Sequence, residues 1–299
     1  MQEAPVLRPL SVGDIIDRML RLLRADPVLF IGIALIPTLV ADVLQRVVGL
    51  TQTFDFSQFS AALNTAPGAT PVLPQQLRPV DPVLAAIVGV VSVVLAVTQA
   101  AALTYAIGQR YLGRRETIGD AYSKGVRTLP RLLLSALVIA VVFIVVVAIV
   151  AVVVTLGASA FVVVAVVVGL VGFFFVLPWA FLSLAFVTPA IVLEGLGPIA
   201  GIKRSFHLVD KARLRTLGLW LLMGIITSLL GIIFSIVFLA SFVAEPTLSA
   251  VLQTAATVAS GSISGPLLYG ALVILYYDMR VRKEAFDLQL AAEALPREG

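Results

Sequence analysis

Long apolar runs alternate with short charged segments along the whole chain. Runs able to cross a hydrocarbon core of roughly 30 Å, about 20 helical residues, occur at about 28–50, 82–108, 132–155, 159–182, 214–243 and 249–277. They are continuous, as in "LSALVIAVVFIVVVAIVAVVV". The period-two alternation of a transmembrane strand is missing, which excludes a closed β-barrel. A bilayer offers no water to backbone N–H and C=O groups, so the helix is the remaining way across. These runs predict an all-α polytopic membrane protein with six transmembrane helices.

The polar segments carry a second pattern. Residues 11–23 read "SVGDIIDRMLRLL", residues 117–129 "TIGDAYSKGVRTL" and residues 197–209 "GPIAGIKRSFHLV". Val12, Ile15, Ile16, Met19, Leu20 and Leu23 fall on one helical face, and the other two segments match at Ile118, Ala121, Tyr122, Val126 and Leu129 and at Ile202, Phe206 and Val209. Ser11 and Thr117 are helix caps with Asp14 and Asp120 three residues on, while the third segment opens on Gly197–Pro198. A base recurs at Arg18, Lys124 and Arg204, and three residues later stand Arg21, Arg127 and His207. Each segment precedes an apolar hairpin. The pattern predicts three amphipathic interfacial helices, with apolar faces toward acyl chains and Arg18, Arg21, Arg24, Lys124, Arg127, Lys203, Arg204 and His207 toward anionic headgroups. The chain then consists of three degenerate repeats of helix plus hairpin, about 8–110, 115–193 and 194–285, in one integral membrane domain. A hydrophilic stretch at 51–81 reads as a mobile outer loop, and 278–299 as a cytoplasmic tail.

Composition agrees with a membrane protein. The chain is 60% hydrophobic and 13% charged, against about 45–50% and about 25% for soluble domains. The start "MQEAPVLRPLSVGD" lacks the order of a cleaved signal peptide, so the first run is expected to stay as an anchor. All of the 21 Lys and Arg residues except Arg46 and Arg78 fall on one side of the predicted spans. By the positive-inside rule that side is cytoplasmic, with both termini inside a bacterial inner membrane. The chain has no cysteine, which excludes disulfides, thiolate metal sites and cysteine nucleophiles.

Three stretches resemble a known family: "LRPLSVGDIIDRMLRLLR", "PAIVLEGLGPIAGIKRSFHLV" and "LYYDMRVRKEAFDLQL". They are similar to bacterial proteins carrying the glycerophosphoryl diester phosphodiesterase membrane domain, and they mark Asp14, Glu194, Asp278, Arg280 and Arg282 as motif residues. In that family the name comes from members fused to a soluble phosphodiesterase barrel. This chain has no room for such a barrel of roughly 250 residues, so the resemblance implies a membrane part without the enzyme.

Few residues offer chemistry. Asp42 and Arg46 are the oppositely charged pair inside a predicted span. An ion or proton relay competes there with a local ion pair at the outer interface, and the i, i+4 order favours the pair. His207 has neither the carboxylate partner of a base nor the company of further metal ligands. Glu194 is placed to pair with the arginines that follow. Gly261, Gly265 and Pro266 in "GSISGP" allow close helix packing with a kink, or a broken transport helix. Residues 159–193 would make about 52 Å of helix, so a bend is expected near Pro178. No phosphate-cradling loop, metal cluster or hydrolytic triad emerges. The expected protein is non-enzymatic, without cofactor, metal or nucleic acid, bound to anionic lipids and serving as a scaffold or as a subunit with a protein partner. A transporter or lipid translocator is the alternative. A membrane phosphodiesterase, with hydrolysis depending on Glu194 or His207, is the third.

Overall fold

Proline opens four helices, at Pro27, Pro82, Pro198 and Pro246, where its missing N–H removes no intrahelical bond. The structure, a computed structural model, describes residues 9–50, 80–156, 172, 177–210, 212–241 and 245–289. Among these residues the chain forms α1 (Val12–Ala25), α2 (Pro27–Val48), α3 (Pro82–Tyr111), α4 (Ile118–Leu156), α5 (Leu177–Ser183), α6 (Val187–Glu194), α7 (Pro198–Val209), α8 (Arg213–Ala240) and α9 (Pro246–Glu284). Five of them, α2, α3, α4, α8 and α9, contain segments long and apolar enough to cross a membrane. The chain is a multi-spanning helical membrane protein. Most of the predicted span at 159–182 lies outside the described residues, as do the stretch 51–79 and the tail beyond Gln289.

α9 is the axis of the fold. It packs against α1, α2, α3, α7 and α8, while α3 also packs against α2, α4 and α6. Its second half, from Leu267 to Met279, is almost wholly buried. One core gathers Ile15, Met19, Phe186, Leu208, Met223 and Ile274. A second gathers Phe30, Ile33, Leu103, Ile107, Val273 and Tyr277. Burial fades away from this charged end. Leu221, Ile225, Leu229, Ile232 and Ile236 of α8 are exposed, as is α4 from Val141 to Val147. Such surfaces are stable against lipid tails and costly in water.

Two expectations about the short helices are corrected. The segment 117–129 is not a separate helix: it forms the first turns of α4, which continues through Pro130. The hydroxyl of Thr128 donates to the carbonyls of Lys124 and Gly125, at 3.0 Å each, in the turn ahead of the proline. The apolar faces of α1 and α7 are turned to protein rather than to acyl chains. Ile15 and Met19 of α1 and Leu208 and Val209 of α7 are buried in the core around α9. An amphipathic stripe fits either neighbour, and here the sheltered surface of α9 takes it.

The caps form as the sequence implies. Ser11 Oγ accepts from the Asp14 N–H at 3.1 Å, and the Asp14 carboxylate accepts from the Ser11 N–H at 2.8 Å. Thr117 and Asp120 repeat this box at 3.2 and 3.1 Å. "SVGD" and "TIGD" are therefore the same device for starting a helix. The expected bend also occurs, but beyond Pro178: α5 and α6 are separated by a turn at Leu184–Phe186. Ser205 of α7 holds that turn, accepting from the Phe186 N–H at 3.0 Å and donating to the Ser183 carbonyl at 2.7 Å.

α9 runs as one helix through Gly261, Gly265 and Pro266. A Cβ on Gly261 would lie 3.0 Å from Thr38 of α2, and one on Gly265 would lie 3.4 Å from Gln99 of α3.

Candidate functional site

At the charged end, α6 stops at Glu194 because Gly195 adopts a left-handed conformation, φ +70°, and turns the chain toward α7. The turn sets Glu194 opposite Arg204, ten residues on. Arg204 Nε and Nη2 both lie 2.9 Å from the Glu194 carboxylate, and its fork also engages Glu284, Nη2 to Oε2 at 2.7 Å. Tyr276 donates its hydroxyl to Glu194 Oε1. Arg280 completes the group, 3.4 Å from Glu194 and 3.5 Å from Glu284, with its guanidinium 3.8 Å from the centre of the Phe286 ring. Hydrogen bonding to Glu284, joined by Glu194, raises the Arg204 pKa above the ordinary arginine value against the opposing effect of burial. Residues from α6, α7 and α9 are thereby tied through two carboxylates and two guanidinium groups.

A second group centres on Asp278, whose side chain has no exposed surface. Its carboxylate accepts from the Leu10 N–H at 2.7 Å, from Arg282 Nε at 3.0 Å, and pairs with Arg215 Nη2 at 2.9 Å. Both arginines also donate to the Leu10 carbonyl, Arg282 at 2.8 Å. One residue ahead of α1 is thus held on both its backbone polar groups by α8 and α9. Leu10 and Arg215 carry no sequence signal beyond a buried leucine and one more base near a span. Their role depends on a contact across 268 positions.

The motif residues therefore separate into three places. Glu194 and Arg280 share the first group, Asp278 and Arg282 the second, and Asp14 stays local as a helix cap. The lipid-facing set also divides. Arg21, Arg24, Arg127, Lys203 and His207 are exposed at the charged end. Arg204 is withdrawn into the carboxylate group, a correction to its expected headgroup role. Lys124 lies with its ammonium 5.8 Å from the centre of the Tyr105 ring, and Arg18 Nη1 donates to the Tyr111 hydroxyl at 3.0 Å. His207 contributes its backbone carbonyl to Lys283 Nζ at 2.9 Å.

Asp42 and Arg46 form the pair expected of them, Nε to Oδ2 at 2.6 Å and Nη2 to Oδ1 at 3.3 Å. The carboxylate is only 7% exposed. It borders a groove of about 420 Å³ between α2, α3 and α9, with Thr38, Gln45, Ser92, Gln99 and Thr257 among its lining residues. Gln45 Nε2 donates to Ser92 Oγ at 3.1 Å. Among the described residues no group of three or more His, Asp and Glu is gathered to hold a metal.

The match to a family model runs from Leu10 to Met279. The chain belongs to the family described as a domain of unknown function (DUF7847). The DUF7847 region takes in both ends of the Asp278 clamp, together with Glu194, Arg204, Tyr276 and the Asp42–Arg46 pair. Glu284 and Arg282 lie just past its boundary. No curated protein and no solved structure shows significant similarity to the chain. The DUF7847 match does not link the chain to the glycerophosphoryl diester phosphodiesterase membrane domain, so that resemblance rests on the three motifs alone.

Proposed function

We propose that this protein is a non-enzymatic scaffold or subunit of a membrane complex in the bacterial inner membrane, with both termini cytoplasmic and with anionic lipids around its charged end. One observation carries the reading: the motif carboxylates Glu194 and Asp278, and Glu284 beside them, are engaged by arginines. A general acid or base needs a carboxyl group that can reach a substrate proton. These groups instead fasten α1, α6, α7 and α8 to α9, making a fixed platform with exposed bases at one membrane surface. Gentle extraction from native membranes, followed by mass spectrometry of what stays bound, tests the proposal. A stoichiometric protein partner is expected. Its absence from every mild extraction, with hydrolysis of a phosphodiester by the pure protein, would move the assignment to an enzyme.

The groove beside Asp42 favours a second reading, a transporter or lipid translocator. Intramembrane ionisable and amide groups that border open space are where such proteins bind cargo. Flux across liposomes that is lost in Asp42→Asn would establish it, and no flux over a broad panel of solutes and labelled lipids would remove it.

A further inference from the structure

Most arginines of α2, α3, α7, α8 and α9 meet a carboxylate: Arg46 has Asp42, Arg110 has Asp26, Arg204 and Arg280 have Glu194 and Glu284, and Arg215 and Arg282 share Asp278. Arg18, half-buried on α1, meets none among the described residues. Its neighbour is Tyr111, which accepts a hydrogen bond at 3.0 Å and presents its ring 6.0 Å from the guanidinium carbon. Tyr111 is itself fixed by stacking on Tyr277, with ring centres 5.4 Å apart. A partly desolvated cation held in place without a counter-ion is a position prepared for an anion.

The surroundings give that position a shape. Arg18, Arg21, Leu22 and Ala25 of α1 face Arg110 and Tyr111 of α3 across a cleft of about 370 Å³. Two carboxylates stand at it, Asp17 paired with Arg21 at 2.6 Å and Asp26 with Arg110 at 3.4 Å, so the charge of Arg18 is left over. Arg110 Nε, which is buried, is the atom that faces Asp26, and it closes no hydrogen bond there. Leu22 and Ala25 add apolar surface to its lining. Three guanidinium groups beside apolar lining, where a spanning helix ends at Tyr111, match a singly or doubly charged oxyanion with a greasy substituent.

We propose that the α1–α3 cleft binds a phosphate-ester anion, with Arg18 as the principal ligand and Arg21 and Arg110 beside it. The phosphate comes from an acidic phospholipid headgroup or from a soluble phosphate ester. The proposal deepens the lipid-associated reading above and rests on it. A guanidinium offers five N–H donors, and Arg18 is engaged by a single hydroxyl, which leaves a fork for two phosphate oxygens.

The full-length protein, delipidated in a non-ionic detergent, is titrated with short-chain phosphatidylglycerol, short-chain phosphatidylcholine and glycerol phosphate, and adducts are read by native mass spectrometry. Phosphatidylglycerol is expected to bind in preference to phosphatidylcholine, and Arg18→Gln to weaken it about tenfold, the loss of one charge-assisted contact. Arg213→Gln, at a 40% exposed base on α8 away from the cleft, is expected to bind as the wild type does. Competition by glycerol phosphate would identify the soluble ester as the source; its failure would identify the lipid headgroup. If Arg18→Gln does not yield monodisperse protein, Arg21→Gln decides, since that side chain is 64% exposed and outside the core. Phosphatidylglycerol binding unchanged in the deciding variant overturns the site and leaves general lipid association standing. No preference for acidic lipid in the wild type overturns the site and removes the lipid part of the proposed function with it.

Discussion

An ionised carboxylate with no exposed surface persists in a folded protein only while donors surround it, and Asp278 has three sets: the Leu10 N–H, Arg215 and Arg282. Removing the negative charge leaves two guanidinium groups facing each other in a sheltered site. Breaking a buried pair in this way costs about 3–5 kcal/mol. Asp278→Asn is therefore expected to lower the midpoint of thermal unfolding in detergent far more than Ser11→Ala, which removes a helix cap worth about 1 kcal/mol. Equal midpoints for the two variants would mean that the Asp278 group does not hold the fold. The sequence marked Asp278, Arg280 and Arg282 as a motif without showing what they meet. Their partners lie on other helices, and an i, i+4 pattern reports only neighbours along one.

Helices pack at the distance their smallest contacts allow, and α3 and α4 meet at Gly125. A Cβ there would stand 3.0 Å from the Thr98 carbonyl oxygen and 3.4 Å from the Ala102 nitrogen, both backbone atoms with no rotamer to change. Gly125→Ala is expected to push the two helices apart and to destabilise the protein by about 1–3 kcal/mol. Gly218→Ala on α8, where a Cβ meets nothing within 4 Å, is expected to be neutral or to stabilise, as alanine favours helix over glycine. Thermal unfolding of the two variants side by side checks this. Apolar periodicity and hydropathy made the spanning helices legible, and the Ser-x-x-Asp and Thr-x-x-Asp spacings made two helix starts legible. The side taken by the apolar face of α1 was not legible, because Ile15 and Met19 look the same to a lipid tail and to α9. The continuity of α4 was not legible either, because proline at 130 ordinarily ends a helix.

Among the described residues, the bases other than Arg46 gather at one end of the spanning helices, and much of the rest of the surface is apolar. This distribution sets an orientation that can be measured directly, because the chain contains no cysteine to confuse the reading. A single cysteine in place of the exposed Lys203 is expected to react with a membrane-impermeant maleimide only in inside-out vesicles, and one in place of the exposed Val47 only in right-side-out vesicles. Labelling of both from the same side would contradict the arrangement of spans. The clamp at Leu10 adds an order in time. A ribosome delivers residue 10 first among the parts of that clamp, the α8 arginine much later, and Asp278 after nearly every spanning helix has left the tunnel. Until then the Leu10 N–H lacks its acceptor, and Ile15 and Met19 lack the α9 part of the core that buries them. α1 is thus made long before the helix that completes its seat, and a chain arrested before α9 presents an open, basic and greasy end to whatever stands at the membrane surface.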